Sequence, residues 1–119
     1  MKDYNGKAGE DRAAEYLIKN GYTIIERNLR IGGSEIDIIA TKEDFLVFVE
    51  VKSRLSIDFG YPEEFVDERK IKKIVDGAKL FSVRKKYREM LIRFDVIAVN
   101  RGLGEVSIEH YENAFEYDG

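Results

Sequence analysis

Two acidic side chains interrupt apolar runs in the middle of the chain. Asp37 lies in the run SEIDIIA, and Glu50 lies in VFVEVK, where Lys52 follows it two positions later. The second run is otherwise hydrophobic, which is typical of a central strand buried on both faces. Buried acids are costly unless a metal ion or another cation neutralises them. These residue types therefore suggest a hard divalent cation, such as Mg²⁺ or Mn²⁺, held by carboxylate oxygens.

The spacing of the two runs allows both acids to reach one ion. Side chains alternate between the two faces of a strand, so Glu50 and Lys52 share a face. A hairpin that places Ala40 opposite Phe45 makes Asp37 and Glu50 diagonal neighbours, about 7–8 Å apart at Cα. An edge strand with an ordinary ion-pair network would group charges in the same way, and the spacing alone leaves that interpretation open.

A third carboxylate, Glu10, precedes the apolar residues of a predicted N-terminal helix at helical spacing. It would project from the apolar face of that helix toward the sheet, where it could reach the same site. The alternative is that Glu10 only stabilises the positive end of the helix dipole.

Composition excludes several other kinds of site. The chain of 119 residues has no cysteine and one histidine, so it has no disulfide, no thiol nucleophile and no Cys/His zinc site. We expect His110, near the end of the last strand, to be a hydrogen-bonded structural residue, and Asp95 to pair with Arg93 or with a helix lysine. The N-terminal residues do not resemble a signal peptide and no apolar run is long enough to cross a membrane, which favours the cytoplasm.

The patterns predict two helices and five strands in the order α-β-β-β-α-β-β. This order indicates an α/β (α+β) fold in which helices flank a mixed central sheet, with residues 1–119 forming one domain. The predicted helices cover about 6–20 and 67–87, and the predicted strands cover 22–30, 35–41, 45–52, 93–100 and 105–111, with a loop at 54–64.

Basic residues are concentrated in the second helix although the net charge is −3. Nine Lys or Arg and a single acid lie between Arg69 and Arg88, a pattern that favours binding to a nucleic-acid backbone. A solvated amphipathic helix is the alternative. The candidate phosphate contacts are Ser53, Arg54, Lys70, Lys73, Arg84, Lys85 and Lys86, of which Lys70 could also point to the acidic site.

Blocks of sequence spread over nearly the whole chain resemble the bacterial YraN-like family. They are Gly9-Glu10, AAEYLIKNGYTIIERNLR, GSEIDIIA, FVEVKSR, RFDVIAV and IEHYENAF. That family is similar to the restriction-endonuclease-like PD-(D/E)xK nucleases and to archaeal Holliday-junction resolvases. By this resemblance Asp37 is the first acid, Glu50 the second, Lys52 the motif lysine and Glu10 the helical glutamate. Ile36 stands where many of these nucleases have proline.

The resemblance implies a restriction-endonuclease-like fold and a metal-dependent endonuclease that hydrolyses DNA, branched or single-stranded. Asp37, Glu50, Glu10 and the backbone carbonyl of Val51 would hold Mg²⁺ or Mn²⁺, while Lys52 would orient the attacking water or stabilise the developing charge. A two-fold symmetric junction would require a homodimer. A non-catalytic module that binds nucleic acid or assists assembly, while keeping the nuclease fold, is the alternative.

Overall fold

The computed structural model describes residues 2–55, 67–102 and 105–116, which form two helices and five strands. They follow in the predicted order, α-β-β-β-α-β-β. The elements are α1 (Lys2–Lys19), β1 (Thr23–Ile31), β2 (Ser34–Lys42), β3 (Phe45–Leu55), α2 (Glu68–Ser82), β4 (Leu91–Gly102) and β5 (Glu105–Tyr111). In this part of the chain, neither helix is long and apolar enough to span a bilayer.

The strands form one mixed sheet in the order β1-β2-β3-β4-β5. Only β3 and β4 are parallel, and the other neighbouring pairs are antiparallel. A parallel pair needs a crossover connection, and α2 lies in that connection. The mixed sheet with flanking helices is thus confirmed, and β3 is its central strand.

Alternating residues of the sheet build two cores. The α1-side core joins Ala13 and Leu17 to Val47, Val49 and Ile97. The α2-side core joins Ile74, Ala78 and Phe81 to Leu46, Phe48, Phe94 and Val96. Because consecutive residues of β3 face opposite helices, its apolar run is continuous, as expected for a strand covered on both faces.

The hairpin between β2 and β3 has a different register from the predicted one. Ala40 lies opposite Val47 and Lys42 lies opposite Phe45, so the prediction that paired Ala40 with Phe45 is wrong by two residues. The turn contains only two residues, and the first, Glu43, has a positive φ of 55°. A two-residue hairpin turn needs a positive φ, which glycine or asparagine usually provides, and here Glu43 adopts it.

Helix α2 begins as predicted but ends earlier. The side chain of its N-cap residue, Asp67, accepts a hydrogen bond from the Lys70 backbone N–H at 2.8 Å. The predicted end at Tyr87 is wrong, since the helix stops at Ser82. Residues six apart do not share a helix face, and the turn that follows α2 lets the Tyr87 ring stack on Phe81 with centroids 5.2 Å apart. The strongly basic residues 84–88 therefore lie beyond the helix.

A buried polar network lies on the α1 side of the sheet, and in it Asp95 pairs with Arg93 and His110 is hydrogen-bonded, as predicted for each residue. Asp95 is 0% exposed and accepts hydrogen bonds from Arg93 at 2.8 and 3.0 Å and from the Asn113 backbone N–H at 3.0 Å. His110 Nε2 lies 2.7 Å from its carboxylate, and the other ring nitrogen of His110 meets the Tyr16 hydroxyl at 3.0 Å. The network therefore links β4, β5 and α1.

Candidate active site

A cleft of about 900 Å³ opens where α1, β2, β3 and the first turn of α2 meet. It brings together most of the residues that the sequence singled out. Those that line it are Glu10, Asp37, Glu50, Val51, Lys52, Ser53, Lys70 and Lys73. Arg54, Arg84, Lys85 and Lys86 are not part of this lining.

Asp37 lies at the point where β2 and β3 separate. The paired residues of the two strands end at Ile38 and Val49, and beyond them Asp37 Oδ2 accepts a hydrogen bond from the Val51 N–H at 2.8 Å. The facing of β2 also changes here, because Ile36 packs in the α2-side core and Ile38 in the α1-side core. In an extended strand the N–H and C=O of one residue point to the same side, so the Val51 carbonyl also faces this gap.

Glu50 is buried at the base of the cleft beside two lysines. It is 3% exposed, yet its Oε2 contacts the Lys70 ammonium from α2 and lies 3.6 Å from the Lys52 ammonium. Because Lys52 extends from β3 itself, its place beside Glu50 is set by the strand. The contact of Lys70 instead depends on how α2 packs against the sheet, and sequence spacing alone does not reveal it.

The electrostatics of the carboxylate pair disfavour two bare negative charges. Burial raises the pKa of Asp37 to about 7, and the neighbouring Glu50 carboxylate contributes to this rise, against the opposing hydrogen bond from Val51. For Lys70, burial lowers the pKa, but the hydrogen bond and charge of Glu50 outweigh that effect and leave it above its ordinary value. Without an additional cation, Asp37 therefore exchanges a proton near neutral pH, whereas Lys70 stays charged.

Glu10 lies in the cleft but is held by β1. It is 6% exposed, and its Oε1 accepts hydrogen bonds from Arg27 Nε at 2.9 Å and from Asn28 Nδ2 at 2.8 Å. Gly9 allows α1 to approach the sheet closely at this point, because a methyl group there would collide with the Ser53 hydroxyl. Arg27 and Asn28 were not identified from the sequence, because β1 carries other polar residues and nothing in its pattern distinguishes these two.

The donor set fits a hard divalent ion. Asp37 and Glu50 supply carboxylate oxygens, the Val51 carbonyl faces the same gap, and the raised pKa of Asp37 marks negative charge that a cation would stabilise. Over the ranges 2–55, 67–102 and 105–116, no three acidic or histidine side chains stand close enough together to hold a metal ion. The Asp37–Glu50 pair is therefore the centre of the candidate metal site, and the contacts of Glu10 with Arg27 and Asn28 both use its Oε1.

The predicted phosphate contacts divide into three groups. Lys70 and Lys73 line the cleft, together with Arg69 at the start of the same basic segment. Arg54 donates hydrogen bonds to Asn100 at 2.5 Å and Glu109 at 3.0 Å, so it faces β4 and β5. Residues Arg84, Lys85 and Lys86 are exposed past the far end of α2, which spans about 22 Å at 1.5 Å per residue.

Sequence comparison finds the same kind of chain in many bacteria. The profile described as uncharacterised protein family UPF0102 matches residues 9–99. A UPF0102 protein of Flavobacterium psychrophilum is 47% identical over 117 residues, covering 97% of this chain and 98% of its own length. A UPF0102 protein of Persephonella marina is 42% identical over 113 residues, covering 95% and 94%.

Among solved structures, the chain is similar to Pyrococcus furiosus SfsA in complex with Ca²⁺. The TM-score is 0.43 at 20% identity, and the match covers 93% of this chain. The chain spans 63% of the length of that protein. A similarity at this level carries no argument about activity.

Proposed function

The chain belongs to the uncharacterised protein family UPF0102, the family of the YraN-like proteins, and we propose that it is a metal-dependent endonuclease acting on DNA. The observation that carries the proposal is the Asp37–Glu50 pair at the split between β2 and β3, with Lys52 beside it. A buried acid and a half-buried acid next to a lysine, in an open cleft with basic residues on one wall, match the requirements of phosphodiester hydrolysis.

The residues have separable roles in this proposal. Asp37, Glu50 and the Val51 carbonyl would hold Mg²⁺ or Mn²⁺, with Glu10 as a further ligand. When bound, such an ion would lower the pKa of a coordinated water and neutralise charge on the phosphate. Lys52 would donate hydrogen bonds to the attacking water or to the phosphate oxygens as negative charge develops. Lys70 and Lys73 would bind flanking phosphates from the α2 wall.

A cleavage panel tests the proposal. The purified protein should cut single-stranded, duplex or four-way branched DNA in Mn²⁺ or Mg²⁺, and the cutting should stop in EDTA. Inclusion of RNA in the panel tests the choice of nucleic acid. Failure to cut any substrate in Mn²⁺, by protein that is folded, would contradict the nuclease proposal.

Branched DNA is the substrate for which a dimer would matter. A two-fold symmetric junction needs two active sites, which we propose that two copies of the chain would provide. The predicted loop 54–64 is a candidate interface for such a dimer, and it lies outside the described residues except for its first two positions. Light scattering with and without a four-way junction tests the dimer, and a monomer on the junction would contradict it.

A non-catalytic nucleic-acid-binding module is the second candidate. The basic residues of α2 and of residues 84–88 favour it, because neither group requires a metal ion to bind phosphates. Calorimetry separates the candidates: DNA binding without any affinity for Mg²⁺ or Mn²⁺ would support the module. A binding module has no need for clustered acids that repel phosphate, and for this reason we favour the nuclease.

Substitution of Lys52 tests its proposed role. We expect Lys52→Met to lower the rate of cleavage by about 10²–10³-fold, the usual cost of losing one group that stabilises developing charge. Its affinity for Mn²⁺ should persist, since both acids remain. Lys72→Met is the matched control, because Lys72 is an exposed residue of α2 that pairs with Asp76. Equal rates for the two variants would refute the role of Lys52.

A triple substitution beyond the end of α2 tests how far the bound nucleic acid extends, at Arg84, Lys85 and Lys86. Changing all three to glutamine should weaken DNA binding and make its affinity less dependent on salt. The slope of log affinity against log salt should fall by about 0.7–0.9 for each phosphate that the variant no longer neutralises. Affinity for Mn²⁺ should not change, since these side chains lie outside the cleft. An unchanged salt slope would mean that this segment is only solvated.

A further inference from the structure

Glu50 forms ion pairs with two lysines, whereas Asp37 forms none with the described residues. The Lys70 ammonium contacts Glu50 Oε2 and the Lys52 ammonium lies 3.6 Å from the same oxygen. Within the described ranges, Asp37 forms no ion pair and accepts a backbone N–H instead. Both lysines that pair with this carboxylate couple therefore contact Glu50, beside the gap where a divalent ion would bind.

The two lysines reach Glu50 from different elements. Lys52 stands on β3 two residues after Glu50, and its side chain is 29% exposed. Lys70 reaches Glu50 from α2, and its side chain is 42% exposed. It is also the third residue of α2, in the first turn, where the helix dipole opposes a positive charge. Glu50 therefore stabilises the Lys70 ammonium in a place that the helix itself disfavours.

A divalent cation at the carboxylate pair would repel this ammonium. Charges of +2 and +1 that are about 5 Å apart repel each other strongly, because the partly buried cleft screens them less than bulk water does. The flexible stem of Lys70 allows it to leave toward the open cleft, where Arg69 and Lys73 also lie. A substrate phosphate bound there would replace Glu50 as its counter-ion.

We propose that the Lys70 ammonium competes with the divalent cation for Glu50 and transfers to a substrate phosphate when that cation binds. The proposal rests on the proposed function, because it assumes a metal ion at Asp37 and Glu50. It makes Lys70 a phosphate-binding residue that links the loading of the ion to the binding of nucleic acid. Such a link is reciprocal, so nucleic acid would also tighten the binding of the ion.

Titration calorimetry with Mn²⁺ tests the competition on wild-type protein, Lys70→Met and Lys73→Met. The last is the matched control, because it removes the same charge from the same cleft but does not touch Glu50 in the described structure. We expect Lys70→Met to bind Mn²⁺ at least tenfold more tightly than wild type, or about 1.4 kcal/mol. The control should change the affinity less than threefold. Equal effects of the two variants, or weaker binding by Lys70→Met, would overturn the proposal.

A second readout covers the case in which Lys70→Met is less stable. In EDTA, Lys70→Met should unfold at a lower temperature than wild type. Saturating Mn²⁺ should raise the unfolding temperature of the variant by more than it raises that of wild type. A smaller gain than in wild type would overturn the competition.

Fluorescence anisotropy with a labelled DNA strand tests the transfer. The affinity of the wild-type protein for DNA should be higher in Ca²⁺ than in EDTA, under conditions in which no cleavage occurs. This increase should be smaller in Lys70→Met than in Lys73→Met. An equal rise in both variants would overturn the transfer.

These results separate the inference from the nuclease proposal. Mn²⁺ binding with the expected variant effects, but without cleavage, would refute the nuclease and leave the competition intact. Absence of Mn²⁺ binding in all three proteins would overturn both the competition and the metal site.

Discussion

Replacing Asp37 with asparagine is expected to abolish metal-dependent cleavage and, at the same time, to stabilise the metal-free protein. The amide keeps an oxygen that can accept the Val51 N–H, so the local geometry is preserved. It removes one of the two carboxylates that would bind the ion. We expect at least a 10³-fold loss of cleavage rate, on the order of the loss when a central catalytic group is removed, and a large loss of Mn²⁺ affinity.

The stabilisation follows from the direction of the pKa shift. Burial and the charge of Glu50 raise the pKa of Asp37 from 3.8 to about 7. A carboxyl group with a raised folded pKa lowers stability progressively as the pH rises from about 4 to 7, and the cost is constant above that range. At pH 8, Asp37→Asn should therefore raise the free energy of unfolding, measured in urea, by about 1–4 kcal/mol. Near pH 4 the carboxyl group of the folded protein is protonated and carries no charge to relieve, so the substitution should give no such gain.

Asp44→Asn is the control for both effects, because Asp44 is an exposed residue of the turn between β2 and β3. It should cut DNA and unfold as wild type does. Cleavage by Asp37→Asn at the control rate would refute the role of Asp37. A loss of stability at pH 8 would contradict the destabilising charge that we assign to Asp37.

Removing the charge of Asp95 is expected to have the largest effect on stability. Burial would raise the pKa of Asp95, but the hydrogen bonds from His110, Arg93 and the Asn113 N–H outweigh it and hold that pKa below its ordinary value. Asp95→Asn leaves the Arg93 guanidinium, which is 12% exposed, without its buried counter-charge. Breaking such a pair costs about 3–5 kcal/mol, which is a large part of the stability of a small domain.

Urea unfolding followed by circular dichroism measures this cost, with Asp76→Asn as control. Asp76 makes an exposed ion pair with Lys72, so its substitution should cost about 1 kcal/mol or less. Because the folded pKa of Asp95 is lowered, its contribution is present above its ordinary pKa of 3.8 and is lost as the pH falls through the lower folded value. The two variants should therefore converge in strongly acidic buffer. Equal losses at neutral pH would show that the network adds nothing to stability.

Strand periodicity and the resemblance were sufficient to locate the carboxylates but not to orient them. The acids stand out because charge is rare in apolar strands, and the structure brings Asp37, Glu50 and Lys52 to one cleft. The register between β2 and β3 was wrong because it depends on the backbone conformation of one turn residue, Glu43. Propensity does not favour a positive φ at glutamate.

Contacts between elements that are distant in sequence were beyond the reach of spacing arguments. Glu10 was expected to face the acids, but its hydrogen bonds to Arg27 and Asn28 depend on how α1 packs against β1. The contact of Lys70 with Glu50 depends in the same way on α2. Local patterns identify which residues are unusual, whereas packing decides which of them meet.

The measurement that tests the metal site most directly is anomalous diffraction from crystals of the wild-type protein soaked in Mn²⁺. We predict a manganese peak between the carboxylates of Asp37 and Glu50, within ligand distance of both and beside the Val51 carbonyl, with the Lys70 ammonium displaced from Glu50. The same crystals would show whether Glu10 leaves Arg27 to join the ion. A cleft without a peak at saturating Mn²⁺, or a peak that contacts neither Asp37 nor Glu50, would contradict the proposed site.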